Sequence, residues 1–565
     1  MNASGAATAD AVSGRRSSVY WWVGVAMVAI LLPVGVTARW FNATYGATLS
    51  DVSSGVWLLK ASVVGLALAA ILLRRIPGNS APGPALTTDA TATWIVLAIV
   101  VLGLALRLNQ LDSELWLDEI LLKTRYAPLE FRQLLSTYDS QNHQPLYSIL
   151  ARLAFLALGA TDWSVRVPAV LLGVASLWAV WWFGRAVTTT SEARLAALIL
   201  AVSYHHVWFS QNARGYTAML VAALLTTGLF LRLCEGSGRA HRLAWGYAVV
   251  MALGTYTHLT VAFIAMGHVL ALLLSTPWAS SDARRRVAWP MAAIALSALM
   301  TVVLYAPMLP QVWRQVTMPT MQGVAVEWTG ASWMAREGLR VLAQGIPGGL
   351  VTVVVALAVL GIGVGSYWRQ SRLTTLAMFT PVVVTFVAIV SARHNLWPRF
   401  FFFAAGFFVL AALRGGFVIV RQLVRWHPER VSVAGALAVA LLSLVTVPRA
   451  WEPKQQFRAA YDFVERERQP GDEVVALDIA AEVYQLRGWA STWHRVADLN
   501  ALRDAERTAR RTWIVYTLPA RLRAVTPELF QHVSAPRYQV VRVFPASVGG
   551  GEIHVLRHDP ATGHD

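Results

Sequence analysis

Two adjacent carboxylates, Asp118 and Glu119, are the groups in this sequence best suited to chemistry. They stand in the segment LWLDE, shortly after an apolar stretch that ends at Arg107. Neighbouring carboxylates at a membrane surface repel each other and lose hydration, which perturbs their protonation. Such a pair suits a general base that takes a proton from an acceptor hydroxyl, or a ligand of a divalent cation. The plainer interpretation is two solvated loop acids.

The composition indicates that these acids belong to a membrane protein. The chain has 565 residues, of which 56% are hydrophobic and 14% are charged, and its mean hydropathy is +0.49. An average soluble chain is about one quarter charged, so a soluble domain this apolar could not cover its surface. The same values exclude disordered, collagen-like and disulfide-scaffold proteins, and the single cysteine excludes an intramolecular disulfide.

Apolar stretches long enough to cross a bilayer, about 20 residues each, recur along most of the chain. The sequence predicts an α-helical polytopic membrane protein with about 13 transmembrane helices, near residues 20–38, 56–73, 92–108, 166–184, 194–210, 213–231, 243–258, 259–275, 288–308, 349–366, 373–391, 400–420 and 431–447. Arg15 and Arg16 precede the first stretch as in a signal peptide. Because that stretch is too long for a typical signal, we expect an uncleaved anchor.

Arginine in the short loops predicts the orientation. With the N-terminus in the cytoplasm, every short inside loop is net positive, and an odd number of crossings leaves the C-terminal part outside. The arginines that support this assignment are Arg74, Arg75, Arg185, Arg194, Arg232, Arg239, Arg242, Arg284, Arg285, Arg286, Arg369, Arg372, Arg421, Arg425 and Arg430. We therefore expect a multi-pass protein of a bacterial plasma (inner) membrane, and we read the net charge of +17 as a topology signal rather than as nucleic-acid binding.

Three long stretches lie outside under this orientation: 109–165, 309–348 and 448–565. The last is richer in charged residues and is typical of a small extracytoplasmic α/β domain. It has helical spacing at 455–468 and strand patterns near 473–479, 512–517, 538–544 and 552–557.

The apolar stretch 146–158, inside the first of these outer stretches, is short for a membrane span. We expect it to form an amphipathic or re-entrant helix at the outer face. If it crossed the membrane, the arginine-rich loops that follow would change sides.

Five elements occur in an order that resembles a known group of membrane enzymes: LWLDE, NHQPLYSILARLAFLALGATDWSVRVPAVLLG, SYHHVWFSQNARGYTAML, YTHLTVAF and WPRFFFFAAGF. The order is similar to that of family 39 and related glycosyltransferases of the GT-C superfamily. These include dolichyl-phosphate-mannose protein mannosyltransferase-like enzymes and the lipid A aminoarabinose transferase. The resemblance covers about residues 92–420. It implies a catalytic core at 92–447, preceded by a leader and two additional helices at 1–91 and followed by the outer domain at 448–565.

The resemblance implies transfer of a sugar from a polyprenyl-phosphate carrier at the outer side of the membrane. An acceptor hydroxyl or amine attacks the anomeric carbon, normally with inversion, and the lipid phosphate leaves. By position, Asp118 is the expected general base, and Glu119 assists it or binds acceptor or metal. A divalent cation is left open, because relatives differ in this respect and the chain has no Asp-x-Asp motif; no other cofactor is expected.

Polar residues near the outer helix ends are the candidates for substrate binding. A leaving phosphate needs fixed donors, and the planar fork of arginine binds phosphate oxygens in pairs. The donor-phosphate candidates on this ground are Arg214, Arg393 and Arg399, and the resemblance adds His143, at a position associated with lipid phosphate. Asn212 and Tyr216, in the turn before the next helix, are candidates for other substrate contacts, and the resemblance adds Tyr256 and His258 through a Tyr-Thr-His element. Snorkelling arginines and a satisfied helix-end histidine are the plainer alternatives. Since many relatives carry an acid where Asn212 stands, and an amide cannot act as a base, more weight falls on Asp118.

A transporter or lipid flippase is the alternative from another functional class, since intramembrane charges serve transport too. Transporters commonly show paired repeats with broken helices, and this sequence shows no such repeat. A polysaccharide polymerase or ligase that uses lipid-linked donors is a second alternative. The sequence leaves the sugar open, as well as the choice among a glycan, a lipid and a protein as acceptor.

Overall fold

The computed structural model describes residues 19–76, 90–236, 239–280, 282–317, 326–346 and 348–559. Its α-helices, in chain order, are α1 (Val19–Leu31), α2 (Val34–Phe41), α3 (Leu49–Leu72), α4 (Ala90–Leu108), α5 (Leu117–Leu121), α6 (Phe131–Leu134), α7 (Pro145–Leu158), α8 (Val167–Val187), α9 (Thr190–Ala201), α10 (Tyr204–Ser210), α11 (Tyr216–Glu235), α12 (Ala240–Thr257), α13 (Ala262–Ser275), α14 (Ala283–Tyr305), α15 (Leu309–Thr317), α16 (Ala331–Gly345), α17 (Gly349–Gln370), α18 (Arg372–Ser391), α19 (Ala405–Leu423), α20 (Pro428–Leu444), α21 (Phe457–Glu467), α22 (Asp478–Arg487), α23 (Leu499–Thr508), α24 (Pro519–Val525) and α25 (Pro527–Val533). Short 3₁₀ turns continue several of them.

Within these described ranges, seven helical segments are long and apolar enough to cross a membrane: Leu49–Leu72, Ser164–Val187, Tyr216–Glu235, Arg286–Thr317, Gly349–Gln370, Arg372–Ser391 and Pro398–Leu423. An eighth results if α1 and α2, which meet at 86°, count as one broken span. The predicted class, a polytopic helical membrane protein with a small C-terminal sheet domain, is confirmed. The predicted number of about 13 transmembrane helices is not confirmed.

Two predicted spans, 20–38 and 194–210, are broken in the structure. The first bends at Pro33, between α1 and α2, because proline has no N–H to continue the helical hydrogen bonds. The second breaks between α9 and α10, where Ser203 begins a new helix by accepting from the backbone N–H of His206 at 3.5 Å.

Arg107 stabilises the break between α9 and α10. Its buried guanidinium donates to the carbonyl oxygens of Leu200 and Ala201, at 3.2 and 3.0 Å, which the end of α9 leaves without helical partners. It also contacts Nδ1 of His206 and donates to Oγ of Ser210. The short α10 and the turn that follows it therefore have a fixed position at the end of the helical core.

The C-terminal sheet has five strands in the order β2-β1-β3-β5-β4. The strands are β1 (Asp472–Leu477), β2 (His494–Val496), β3 (Arg511–Thr517), β4 (Tyr538–Phe544) and β5 (Ile553–His558). β1 pairs in parallel with β2 and β3, whereas β5 runs antiparallel to β3 and β4. The four predicted strands are all present, and the helix predicted at 455–468 is α21. The three-residue β2 was missed because it is too short to show a side-chain alternation.

The stretch 109–165, which contains the acidic segment, packs into the core of the C-terminal domain. Leu115 and Ile120, which flank Asp118, are fully buried in a cluster with residues of α21, α22 and β1. The same stretch contains α7, the short helix predicted at 146–158. The acidic segment and the C-terminal domain therefore lie on the same side of the helical core.

Candidate active site

A cavity of about 480 Å³ lies between the stretch 109–165, the ends of several core helices and the C-terminal domain. Six of the ten predicted site residues line it: Asp118, His143, Arg214, Tyr216, His258 and Arg399. These residues come from five separate segments of the chain. The fold therefore brings most of the predicted site together in one place.

The other four predicted residues are not among those that line the cavity. Glu119 and Asn212 are buried in its wall, and Tyr256 packs its ring against Tyr305 with centroids 5.1 Å apart. Arg393 is exposed, although its neighbours on both sides line the cavity. Arg393, whose backbone is in the left-handed conformation (φ 52°), therefore does not share the cavity lining with the other phosphate candidates.

Asp118 is the second residue of α5, and its side chain is 14% exposed towards the cavity. Its Oδ2 lies 4.0 Å from Nε of Arg214. Among the described residues that line the cavity, Asp118 is the only acid. A carboxylate in this position can accept a proton from a group that enters the cavity.

Glu119 points away from the cavity and forms a fully buried ion pair with Arg166. Nε and one terminal nitrogen of Arg166 donate to the two carboxylate oxygens at 2.8 and 2.6 Å, and the backbone N–H of Ala213 donates to the same carboxylate at 2.7 Å. Burial alone would raise the pKa of Glu119, but Arg166, Lys454 and these hydrogen bonds outweigh it and lower the pKa. Glu119 is thus an ionised anchor in the wall of the cavity.

Arg166 was not predicted as a site residue. Besides Glu119, it donates to the carbonyl oxygens of Leu111, Ser113 and Glu114 at 2.7–3.0 Å. The backbone before α5 is therefore wrapped around this guanidinium. One signal in the sequence could have identified Arg166. It begins the predicted span 166–184, at the end where the predicted orientation disfavours positively charged residues.

Asn212 and Trp116 form a second link between the acidic segment and the turn before α11. The indole N–H of Trp116 donates to Oδ1 of Asn212 at 3.1 Å. The Trp116 ring also faces Arg399, whose guanidinium carbon lies 5.5 Å from the ring centroid. Asn212 therefore positions an aromatic wall of the cavity and does not itself line the cavity.

Two arginines that line the cavity, Arg214 and Arg399, each have a nitrogen without a hydrogen-bond partner among the described residues. Arg214 donates to the carbonyl oxygen of Asn142 at 2.5 Å, while its Nε has no hydrogen-bond partner among the described residues. Arg399 stacks on Trp397 at 4.4 Å, and its buried Nε likewise lacks a hydrogen-bond partner within the described part of the chain. Both cations therefore keep donors for an anion in the cavity.

Gln144 joins the histidine-bearing loop to the turn that carries Arg214. Its Oε1 accepts from the backbone N–H of Gly215 at 2.7 Å. Gly215 must be glycine here, because a Cβ would lie 2.0 Å from Cγ2 of Thr257. The close approach of these segments brings His143 and Arg214 to the same wall.

His143 is a buried, neutral histidine. Its ring stacks on Tyr126 with centroids 4.3 Å apart, and neither ring nitrogen has a hydrogen-bond partner among the residues described. Burial and the nearby charge of Arg214 lower its pKa to about 3. A neutral imidazole can still donate one N–H to an anion that enters the cavity.

Tyr216 and His258 line the cavity close to each other. Nδ1 of His258 lies 2.8 Å from the hydroxyl of Thr260, and the imidazole ring lies 5.3 Å from the ring of Phe400, beside Arg399. The ring of Tyr216 lies 6.1 Å from that of His258. The two residues thus connect the segment of Arg214 to the segment of Arg399.

A metal site is not evident in the part of the chain that the structure describes. No group of three or more His, Cys, Asp and Glu side chains there could hold an ion. The divalent cation that the sequence left open therefore gains no set of protein ligands from the described residues.

The sequence model of a family described as dolichyl-phosphate-mannose-protein mannosyltransferase matches residues 142–305. The predicted resemblance is confirmed. The matched range contains His143, Arg214, Tyr216 and His258, and it supports the predicted enzyme class, a membrane glycosyltransferase, over a transporter. No curated protein matches the chain.

The chain is also similar to solved structures of other glycosyltransferases. The archaeal oligosaccharyltransferase AglB from Archaeoglobus fulgidus, in complex with an inhibitory peptide and a dolichol-phosphate, is 12% identical, with 77% of this chain and 71% of that chain covered and a TM-score of 0.48. ArnT from Cupriavidus metallidurans bound to undecaprenyl phosphate is 12% identical, with 84% and 100% covered and a TM-score of 0.47. Arabinosyltransferase EmbB from Mycobacterium smegmatis is 13% identical, with 77% and 44% covered and a TM-score of 0.40.

The neutral state of His143 predicts a dependence of stability on pH. The folded protein keeps this ring unprotonated down to about pH 3, whereas the unfolded chain protonates it below about pH 6.5, so acid favours unfolding. The variant His143→Phe keeps the stacking on Tyr126 and removes the titration. Between pH 7 and pH 5, the wild type should lose up to about 2 kcal/mol more stability than the variant.

Thermal unfolding in detergent at the two pH values measures this difference. Other buried histidines are present in both proteins and cancel in the comparison. Equal pH sensitivity of the wild type and His143→Phe would contradict the assignment of His143 as a buried neutral group.

Proposed function

We propose that this protein transfers a sugar from a polyprenyl-phosphate donor to an acceptor hydroxyl or amine at the extracytoplasmic face of the membrane, with inversion at the anomeric carbon. The observation that supports this most directly is the arrangement of the cavity, where Asp118 lies 4.0 Å from Arg214 and shares the lining with Arg399. A base and two cations beside one cavity suit a reaction in which an acceptor loses a proton and a phosphate leaves. The description of the matching family supports this class of donor.

Asp118 is the proposed general base. The acceptor oxygen or nitrogen attacks the anomeric carbon as its proton passes to a carboxylate oxygen of Asp118. The bond from the anomeric carbon to the phosphate oxygen breaks, and its electron pair leaves with the lipid phosphate. One displacement without a covalent sugar–enzyme intermediate inverts the anomeric configuration.

Arg214 and Arg399 are the proposed phosphate ligands. Each retains a buried Nε without a hydrogen-bond partner among the described residues. The negative charge that grows on the leaving phosphate would be stabilised by these fixed donors, which need no reorganisation during the reaction. The neutral imidazole of His143 and the ring of His258 complete this wall of the cavity.

The polyprenyl chain is proposed to lie along the apolar part of the cavity. Phe263 of α13, together with Ala388 and Ile389 of α18, lines the cavity on the side of the membrane helices. The opposite side is formed by the C-terminal domain, through Leu518 and Val548. The lipid donor would enter from the first side, and the acceptor, a glycan, a lipid or a protein, from the second.

The proposed topology places the N-terminus in the cytoplasm and the C-terminal domain outside a bacterial inner membrane. The contact between the acidic segment and the C-terminal domain supports a common side for both. The arginine-rich short loops at the other helix ends support the cytoplasmic assignment of that side.

Asp118→Asn should abolish transfer while donor binding remains, because asparagine keeps the size of the side chain and cannot accept the proton. We expect a fall in turnover by a factor on the order of 10²–10⁴. The assay supplies purified protein with radiolabelled polyprenyl-phosphate mannose, glucose, arabinose and aminosugar, and follows donor consumption. Full activity of the variant, with the wild type active, would rule out Asp118 as the base.

Arg399→Ala should weaken binding of the donor more than binding of the acceptor. Loss of a charge-assisted hydrogen bond of about 1.5–3 kcal/mol corresponds to about a 10- to 100-fold lower donor affinity. Arg393→Ala is the matched comparison, since this nearby arginine is exposed and does not line the cavity. Equilibrium binding of a labelled donor measures both, and an unchanged affinity in Arg399→Ala would refute the assignment.

A further inference from the structure

We infer that two consecutive residues of the C-terminal domain, Lys454 and Gln455, are positioning residues of the active site, because Gln455 fixes the helix that carries Asp118 and Lys454 fixes the turn that carries Arg214. This inference rests on the proposed function. It makes the C-terminal domain part of the catalytic apparatus rather than a cover over it.

Gln455 binds directly to the backbone beside Asp118. Its Oε1 accepts from the N–H of Leu117 at 3.0 Å, across 338 positions of sequence. Leu117 is the first residue of α5, and the first N–H groups of a helix have no partner within it. The backbone N–H of Trp116, just before the helix, donates to Glu119 Oε2 at 3.3 Å. Gln455 supplies the partner of the next N–H, that of Leu117, from another domain.

The C-terminal domain holds the Gln455 amide in the required orientation. Its Nε2 donates to the carbonyl oxygen of Gly551 at 2.9 Å, so the oxygen of the amide must face Leu117. Gly551 packs tightly here, since a Cβ on it would lie 3.0 Å from that Nε2. Gln455 is 1% exposed and borders the cavity beside Asp118. The position of α5 depends on the loop that ends at Gly551.

Lys454 binds the other half of the site. Its Nζ donates to the carbonyl oxygen of Gln211 at 2.9 Å and lies 5.2 Å from the ring centroid of Trp208. Gln211 begins the turn that leads to Arg214. Because Lys454 and Gln455 are adjacent, they act as a clamp that sets the distance between Asp118 and Arg214.

Other contacts attach the C-terminal domain to the stretch 109–165 away from Asp118. Arg487 donates to both carboxylate oxygens of Asp162 at 2.9 and 3.1 Å. This pair docks the domain without touching α5 or the turn of Arg214. Loss of the pair between Arg487 and Asp162 therefore serves as a control that weakens attachment of the C-terminal domain without changing the contacts of Lys454 and Gln455.

The test uses the full-length protein with the variants Gln455→Leu, Gly551→Ala, Lys454→Met and Arg487→Gln. Gln455→Leu keeps the side-chain volume and removes the hydrogen bonds of the amide to Leu117, Gly551 and Thr517. Gly551→Ala shifts the amide of Gln455 by a few tenths of an ångström while keeping its chemistry. Gln455→Leu should lower kcat by a factor on the order of 10², because a misplacement of a catalytic group by about 1 Å is that costly, while donor affinity stays unchanged. Gly551→Ala should lower kcat by a smaller factor. Lys454→Met should instead lower donor affinity. Arg487→Gln should keep both values.

Hydrogen–deuterium exchange gives a readout that does not depend on turnover. Exchange in the peptide that covers residues 115–121 should rise in Gln455→Leu and Gly551→Ala and stay at the wild-type level in Arg487→Gln. Melting temperatures of all variants are compared, and if Gln455→Leu does not fold, the milder Gly551→Ala decides.

The inference is overturned if kcat and exchange of both variants equal those of the wild type, or if Arg487→Gln causes the same losses. A wild-type protein that consumes none of the polyprenyl-phosphate sugars contradicts the proposed function instead. The exchange experiment still decides the positioning role in that case.

Discussion

The buried ion pair between Glu119 and Arg166 is the interaction on which the geometry of the site depends. Both side chains are fully buried, and both carboxylate oxygens accept hydrogen bonds. Removing two charges from water is costly, so such a pair gives little net stability, but loss of either partner typically costs about 3–5 kcal/mol because a buried charge is left alone. The pair thus specifies one arrangement of the chain around it, from Leu111 to Ala213.

This anchor explains how two adjacent acids acquire different roles. Successive residues of a helix point about 100° apart, so when Glu119 is fixed in the wall, Asp118 turns towards the cavity. The separation also reduces the repulsion between the two carboxylates, because each lies near its own cation. Glu119 pairs with Arg166, and Asp118 lies 4.0 Å from Arg214. Arg107 binds Ser210, just before the turn that carries Arg214, and Gln455 binds the first residue of α5, which carries Asp118. These contacts hold Arg214 and Asp118 at a fixed separation.

Much of the fold follows from local patterns in the sequence. Apolar length and arginine placement predicted a polytopic helical protein, and alternation predicted four of the five strands. The break between α9 and α10 was not predictable in this way, because the sequence alone does not show that Arg107 satisfies the broken end of α9. In the sequence, residues 194–210 therefore resemble one continuous apolar span, although the structure divides them into two helices.

The site was predicted to the extent that its residues carry chemistry of their own. Six of the predicted residues line the cavity: Asp118, His143, Arg214, Tyr216, His258 and Arg399. Arg166 and Gln455 were missed because their roles consist of contacts with residues 47 and 338 positions away, which no spacing in the sequence reveals. Arg393 was included because it lies near a helix end, and the turn of its own backbone leaves it exposed.

The central claim is that Asp118 acts as a base in a single displacement on the anomeric carbon. The anomeric configuration of the first-formed product, determined by NMR against that of the consumed polyprenyl-phosphate sugar, tests this claim most directly. One displacement predicts an inverted configuration. A product with retained configuration would require an intermediate bound to the protein, and would show that Asp118 is not acting as a base of this kind.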